Sequence, residues 1–201
     1  FSSLINSTVS SLLALVSIDA DPINSKEHLL LSNIFHYYYS REISLTLEDI
    51  IGYVASPPFE KIGMLSLKNF YNQNDRMKLA MALNGVISSI TFSSWIQGEA
   101  LDIQNMLYDE NGKAKIAIFS IAHLNDNEKM FFVTILLNAY ISWMRKQRGS
   151  SSLKAILYMD EIFGFFPPTK NPPSKEPMLL LLKQARAFGT GVILSTQNPI
   201  D

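Results

Sequence analysis

"KAILYMDEIFGFFPP", Lys154 to Pro168, decides how the second half of this 201-residue chain reads. Its apolar run ends abruptly in two adjacent carboxylates, Asp160 and Glu161. A short apolar run of this kind fits a strand buried on both faces. Working outward, "GVILST" (Gly191–Thr196) reads as a second such strand and "AKIAIFSI" (Ala114–Ile121) as a third. Two helical stretches separate them. "NDNEKMFFVTILLNAYISWMRKQRG" offers Asn125 as N-cap and Glu128 at the third helical position, then Arg145, Lys146 and Arg148 in its last turn and Gly149 as stop. "SKEPMLLLLKQARAFG" offers Ser174 as cap, tolerates Pro177 in its first turn and stops at Gly189. Strand–helix–strand–helix–strand with helices this long predicts crossover connections, a parallel sheet and an α/β fold for residues 113–201.

Residues 1–112 follow a different grammar. "SSLINSTVSSLLALVSI", "SKEHLLLSNIFHYYY", "TLEDIIGYVA", "DRMKLAMALNGVISSI" and "FSSWIQGEALDIQNML" space their apolar residues as helices do. Ser25 and Thr46 stand as N-caps, and Asp49 follows Thr46 at capping-box spacing. The predicted helical bundle ends at the turn signal "DENG", Asp109–Gly112. Charge divides along the same line, with 6 Lys/Arg against 12 Asp/Glu in residues 1–112 and 11 against 6 in residues 113–201. An acidic region of this kind is ill suited to gripping a phosphate backbone by itself. There is no cysteine, which excludes disulfides and thiolate metal sites and admits a reducing compartment. No apolar run approaches the roughly 18 residues of a membrane span, and no signal peptide is visible, so the expectation is a cytoplasmic protein with no membrane partner.

In open parallel sheets, ligands gather beyond the carboxyl ends of the strands. Asp160 and Glu161 end one predicted strand at that edge and Gln197 ends the next. Phosphoryl-transfer ATPases use this placement: an Asp helps hold Mg²⁺, usually through its water, and a carboxylate orients or deprotonates the attacking water. A Gln amide can contact a γ-phosphate and a water together. A solvated strand end or a helix cap would also present an Asp–Glu pair, so the pair alone does not decide between the two readings.

The flanking residues add to it. "ILYMDEIFGFFPP" followed by "LLLLKQARAFGTGVILSTQNPID" resembles the HerA/FtsK superfamily of hexameric DNA-translocating ATPases, and most of all its HerA-like bacterial ATP-binding proteins. The likeness covers Lys154–Asp201 closely and "AKIAIFSIAHLNDNEKMFFVTILLNAYISWMR" more loosely. It implies part of a RecA-like P-loop NTPase core in residues 113–201, preceded by an all-α helical insert in residues 1–112. It makes Asp160 the Mg²⁺-associated acid, Glu161 the catalytic carboxylate and Gln197 the γ-phosphate sensor. Arg186 becomes the arginine reaching a neighbouring subunit's nucleotide, although a cation late in a helix also has a plain dipole rationale. ATP and Mg²⁺ are the implied cofactors. The implied partners are further copies of the chain in a hexameric ring, double-stranded DNA, and a protein docked on the helical insert.

One departure is decisive. G-x-x-x-x-G-K-[ST], the phosphate-cradling loop, is absent, and the single Gly–Lys pair, Gly112–Lys113, runs into Ala114. The family carries that loop upstream of the inserted helices, so this chain is expected to be a fragment that hydrolyses no ATP alone. The rivals to the motor are a nucleotide-gated scaffold whose helical insert binds a protein, and an ATPase of the secretion or conjugation type. Other features carry less. His123 follows the first predicted strand and reads as a loop histidine before a ligand contact. His28 and His36 lack partners for a zinc site. "FHYYY" reads as core before a base-stacking platform, Trp95 and Trp143 are expected in the core, and "FFPPTKNPPSKEP" reads as a stiff connector before a contact surface.

Overall fold

The computed structural model describes residues 2–89 and 99–197, and it divides into two compact units, residues 1–99 and 100–201. Composition places that boundary later, at Gly112.

Unit 1 is built from helices α1 (Ser2–Leu15), α2 (Lys26–Tyr39), α3 (Leu47–Ala55), α4 (Leu67–Phe70) and α5 (Gln73–Ile87). A two-residue hairpin, β1 (Lys61–Ile62) with β2 (Leu65–Ser66), sits between α3 and α4. The helices start where the sequence signals a start. Thr46 accepts from the Asp49 amide while the Asp49 carboxylate accepts from the Thr46 amide, a complete capping box. Ser25 takes the N-cap position of α2 with an extended backbone, but its hydroxyl makes no capping bond. The core consists of Val9, Leu12 and Leu13 from α1, Leu30, Leu31 and Ile34 from α2, Val54 from α3 and Leu83 from α5. Burying each such side chain contributes about 1.5–3 kcal/mol. Of "FHYYY", Phe35 is buried and Tyr38 stacks on Tyr53 at 4.3 Å between ring centroids, so these rings pack on the chain's own side chains. The expected helix over residues 92–107 falls largely outside the described residues, as does Trp95.

Unit 2 contains α6 (Ile103–Leu107), α7 (Asp126–Lys146), strand β3 (Ser150–Met159), α8 (Lys175–Gln184) and strand β4 (Phe188–Leu194), with one 3-10 turn at Ala185–Ala187. Asn125 and Glu128 form the capping box of α7. Val133, Leu137, Tyr140, Ile141, Trp143 and Met144 are buried along it, and α7 packs against α6, α8 and β4. Trp143 donates its indole N–H to Gln104 Oε1 at 2.7 Å. β3 and β4 pair in parallel, in continuous register from Ala155↔Thr190 to Met159↔Leu194. Upstream the register shifts, because Ser150 pairs with Phe188. Gly189 stands opposite that irregularity at φ +69°, where an added Cβ would lie 2.3 Å from the Ser152 carbonyl oxygen. It is therefore a residue of β4 rather than the stop of the preceding helix.

The three-strand expectation is met at two strands. Ala114 makes an isolated antiparallel bridge to Tyr108, and residues 115–121 take no regular structure. Ile116 and Ile118 are 90% and 87% exposed. The physical reason is pairing: a strand's backbone groups need a ladder, and among the described residues no strand lies beside this run. An extended run that is apolar on both faces also needs cover on both, which the described residues do not supply.

Candidate functional site

Parallel pairing brings the carboxyl ends of β3 and β4 to one edge. The last rung is Met159↔Leu194. Beyond it the two exits stay tied, with the Ser195 amide donating to the Met159 carbonyl at 2.9 Å and the Ile162 amide donating to the Ser195 carbonyl at 3.0 Å. Ile162 can return to Ser195 only if the chain turns sharply after Asp160, and Glu161 makes that turn at φ +50°. This left-handed conformation is uncommon for a residue with a Cβ, costs about 1–2 kcal/mol, and clusters at functional sites. The Phe165 and Phe166 amides then donate to the Ile162 carbonyl, closing the turn.

The turn delivers Glu161 to Gln197, whose Nε2 donates to Glu161 Oε1. Asp160 stands next to this pair and takes a weak contact from the Tyr158 hydroxyl at 3.5 Å. All three side chains are exposed. Two carboxylates and one amide are therefore exposed at a hydrogen-bonded backbone corner. These donors are all hard oxygens with one amide N–H, a set that fits Mg²⁺, which takes one or two carboxylates and keeps several waters. Among the described residues, no three His, Asp or Glu side chains gather into a metal-ligand cluster, so a cation here would draw most of its coordination from water or a ligand.

Arg186 is not brought to this edge. It lies on the 3-10 turn that precedes β4, at the amino end of the strand pair, exposed. The seven residues of β4 separate it from Gln197, a span on the order of 20 Å. Arg186 therefore does not reach the carboxylates of its own chain. His123 is exposed in the turn before α7.

Two elements escaped the sequence reading. Lys175 donates from Nζ to the carbonyls of Pro167, Pro168 and Lys170 at 2.7, 3.0 and 2.8 Å, so the proline-rich loop closes on one ammonium. Ser174, fully buried, donates to the Phe165 carbonyl at 2.6 Å instead of capping α8. The concentration of prolines beside lysine was the available signal. Ser195, whose backbone ties the two strand exits, carries no signal beyond its place after an apolar run.

Among the described residues, no helix is long and apolar enough to cross a membrane. Comparison of the chain with protein-family models, with curated proteins and with solved structures finds no match.

Proposed function

We propose that residues 100–201 carry the water-activating edge of a Mg²⁺-dependent ATPase of the HerA/FtsK type, working as a DNA-translocating ring. The observation that supports this best is the left-handed Glu161, held at the carboxyl end of β3 and hydrogen-bonded to Gln197 beyond β4. A strained residue at a strand end, exposed and tied to an amide just beyond the neighbouring strand, is what a positioned general base requires.

In this reading Asp160 would help hold a nucleotide-bound Mg²⁺ through water, and the ion would supply charge neutralisation at the phosphate oxygens. Glu161 accepts a proton from the attacking water and fixes its direction. Gln197 holds the Glu161 carboxylate through its N–H, and its carbonyl oxygen remains available for the same water. Arg186, at the far end of the strand pair, serves a neighbouring copy's nucleotide, which accounts for its separation from Glu161. The phosphate-cradling loop is not among these residues, so hydrolysis is proposed for a longer protein that carries such a loop upstream.

A second reading concerns residues 1–112, whose 12 Asp/Glu against 6 Lys/Arg favour a protein over DNA as what docks there. The ring would then be a nucleotide-gated scaffold, or a motor of the secretion or conjugation type.

The test is ATP turnover by the longer protein, Glu161→Gln against wild type, with and without double-stranded DNA. The substitution is expected to lower kcat by about 10²–10⁴-fold while ATP still binds. Stimulation by DNA supports translocation, and its absence with full basal turnover favours the scaffold. Unchanged turnover in the variant removes Glu161 from the chemistry.

A further inference from the structure

The acidic balance of unit 1 conceals a local reversal. A cavity of about 570 Å³ opens beside the β1–β2 hairpin, α4 and the first turn of α5. Lys61, Lys68 and Arg76 line it, with Glu60 as the opposing carboxylate. These are three of the six Lys and Arg in residues 1–99, which also hold nine Asp and Glu.

Arg76 is the informative member. It is 9% exposed, its Nη1 donates to the Tyr71 carbonyl at 2.7 Å, and its Nε has no hydrogen-bond partner among the described residues. No carboxylate among the described residues pairs with it, since the ion pair recorded there joins Lys78 to Asp75. A guanidinium cannot shed its proton to escape burial, and a buried charge without a counter-charge is costly. An anion in the cavity would bring a counter-charge within Coulombic reach of this guanidinium.

Backbone geometry at the cavity favours the same ligand. Asn72 caps α5 by accepting from the Asp75 amide at 2.9 Å. Gln73 and Asn74 occupy the first two positions of this 15-residue helix, where amides have no acceptor within the helix and the macrodipole favours negative charge. Phe59 adds an aromatic face to the lining. The volume falls in the range of small-molecule sites, about 300–1,000 Å³.

We infer that this cavity binds a phosphate-bearing small molecule, with Arg76, Lys61 and Lys68 as the residues that hold its anionic group. Three cations opposed by one carboxylate match a dianion better than a single carboxylate ligand. The inference concerns unit 1 alone and stands apart from the ATPase reading of unit 2.

Residue-resolved NMR titration of the 201-residue chain tests it, using pyrophosphate, inorganic phosphate, AMP and citrate as probes. Because the readout is local, ligand at the β3–β4 edge does not enter it. Pyrophosphate is expected to move the amides of Lys61, Lys68 and Gln73–Arg76. The double variant Lys61→Gln/Lys68→Gln removes two exposed charges and should keep the fold. It is expected to weaken binding by about tenfold or more, and added salt should weaken binding to the wild type. AMP binding more tightly than phosphate identifies a nucleotide-class ligand through Phe59, and equal affinity identifies the phosphate group as sufficient; both support the inference. It is overturned if those amides stay still up to roughly 10 mM pyrophosphate, if the double variant binds as wild type does, or if citrate binds as tightly as pyrophosphate.

Discussion

Gly189→Ala tests the irregular register of the β3–β4 pair directly. Two contributions to its effect partly cancel. Placing Ala at φ +69° costs about 1–2 kcal/mol. Restricting the unfolded chain returns about 0.4–1 kcal/mol. The contact then decides. The new Cβ would sit 2.3 Å from the Ser152 carbonyl oxygen, where ordinary contact begins at 3.4 Å. Backbone, not a flexible side-chain tip, must therefore move by about 1 Å, and overpacking of this kind costs about 1–3 kcal/mol. The expected net loss is about 2–3 kcal/mol in unit 2. Urea denaturation measures it, followed by the fluorescence of Trp143, buried on α7, in a Trp95→Phe background. With a urea slope of about 1–3 kcal/mol/M, the midpoint should fall by roughly 1 M. Gly191→Ala is the control, because its one tight contact would be Leu153 Cδ1, at 3.2 Å, on a side chain that is 64% exposed and free to yield, while Ile156 Cγ1 and the Ala155 carbonyl oxygen lie at ordinary contact distances of 3.6 and 3.9 Å. Equal midpoints for Gly189→Ala and wild type would refute the close approach and the register that produces it.

Three further outcomes are expected. Gly85 lies exposed inside α5 with nothing within 4 Å of an added Cβ, so Gly85→Ala should stabilise unit 1 by roughly 0.5–1 kcal/mol, read from a calorimetric midpoint. His28 is fully buried, with Nε2 3.3 Å from the Asn6 carbonyl and Nδ1 3.1 Å from the Ser32 hydroxyl, and burial holds its pKa below 6.5 despite Asp21 nearby. The unfolded chain then binds the proton first, so stability is complete above about pH 6.5 and declines as pH falls toward the depressed folded value. His28→Gln should remove that part of the acid dependence in urea midpoints taken at pH 7.5 and 5.5. Ile118→Lys places a charge in an exposed apolar run and should slow aggregation, followed by light scattering, with the far-UV spectrum unchanged.

Local signals in the sequence were the ones that translated into structure. Asn125 with Glu128 and Thr46 with Asp49 are short-range devices whose partners lie three residues away, so spacing alone defines them. Strand β3 was legible for a similar reason: an apolar run ended by Asp160–Glu161 names its own boundary. Residues 115–121 show where such reading stops. Their apolarity describes what a strand would bury, but a strand is a relation between two segments, and no window of sequence contains its neighbour. Site geometry divides in the same way. Asp160, Glu161 and Gln197 were legible as strand-end residues, but the left-handed turn at Glu161 depends on the Ile162 amide reaching Ser195, a contact across the sheet. Arg76 escaped notice altogether, because an arginine on a polar helix gives no sign that it will be buried without a counter-charge.

The proline-rich loop closed by Lys175 has a consequence for how unit 2 comes together. β3 and β4 can pair only after the chain from 160 to 187 has looped back, and closing a long segment is an entropic barrier that local helices do not face. By gathering the carbonyls of Pro167, Pro168 and Lys170, the Lys175 ammonium removes slack from that segment and seats the start of α8 at the same time. The loop is thus more than a connector: where it is folded on Lys175, fewer free residues remain in the segment whose closure β3–β4 pairing requires.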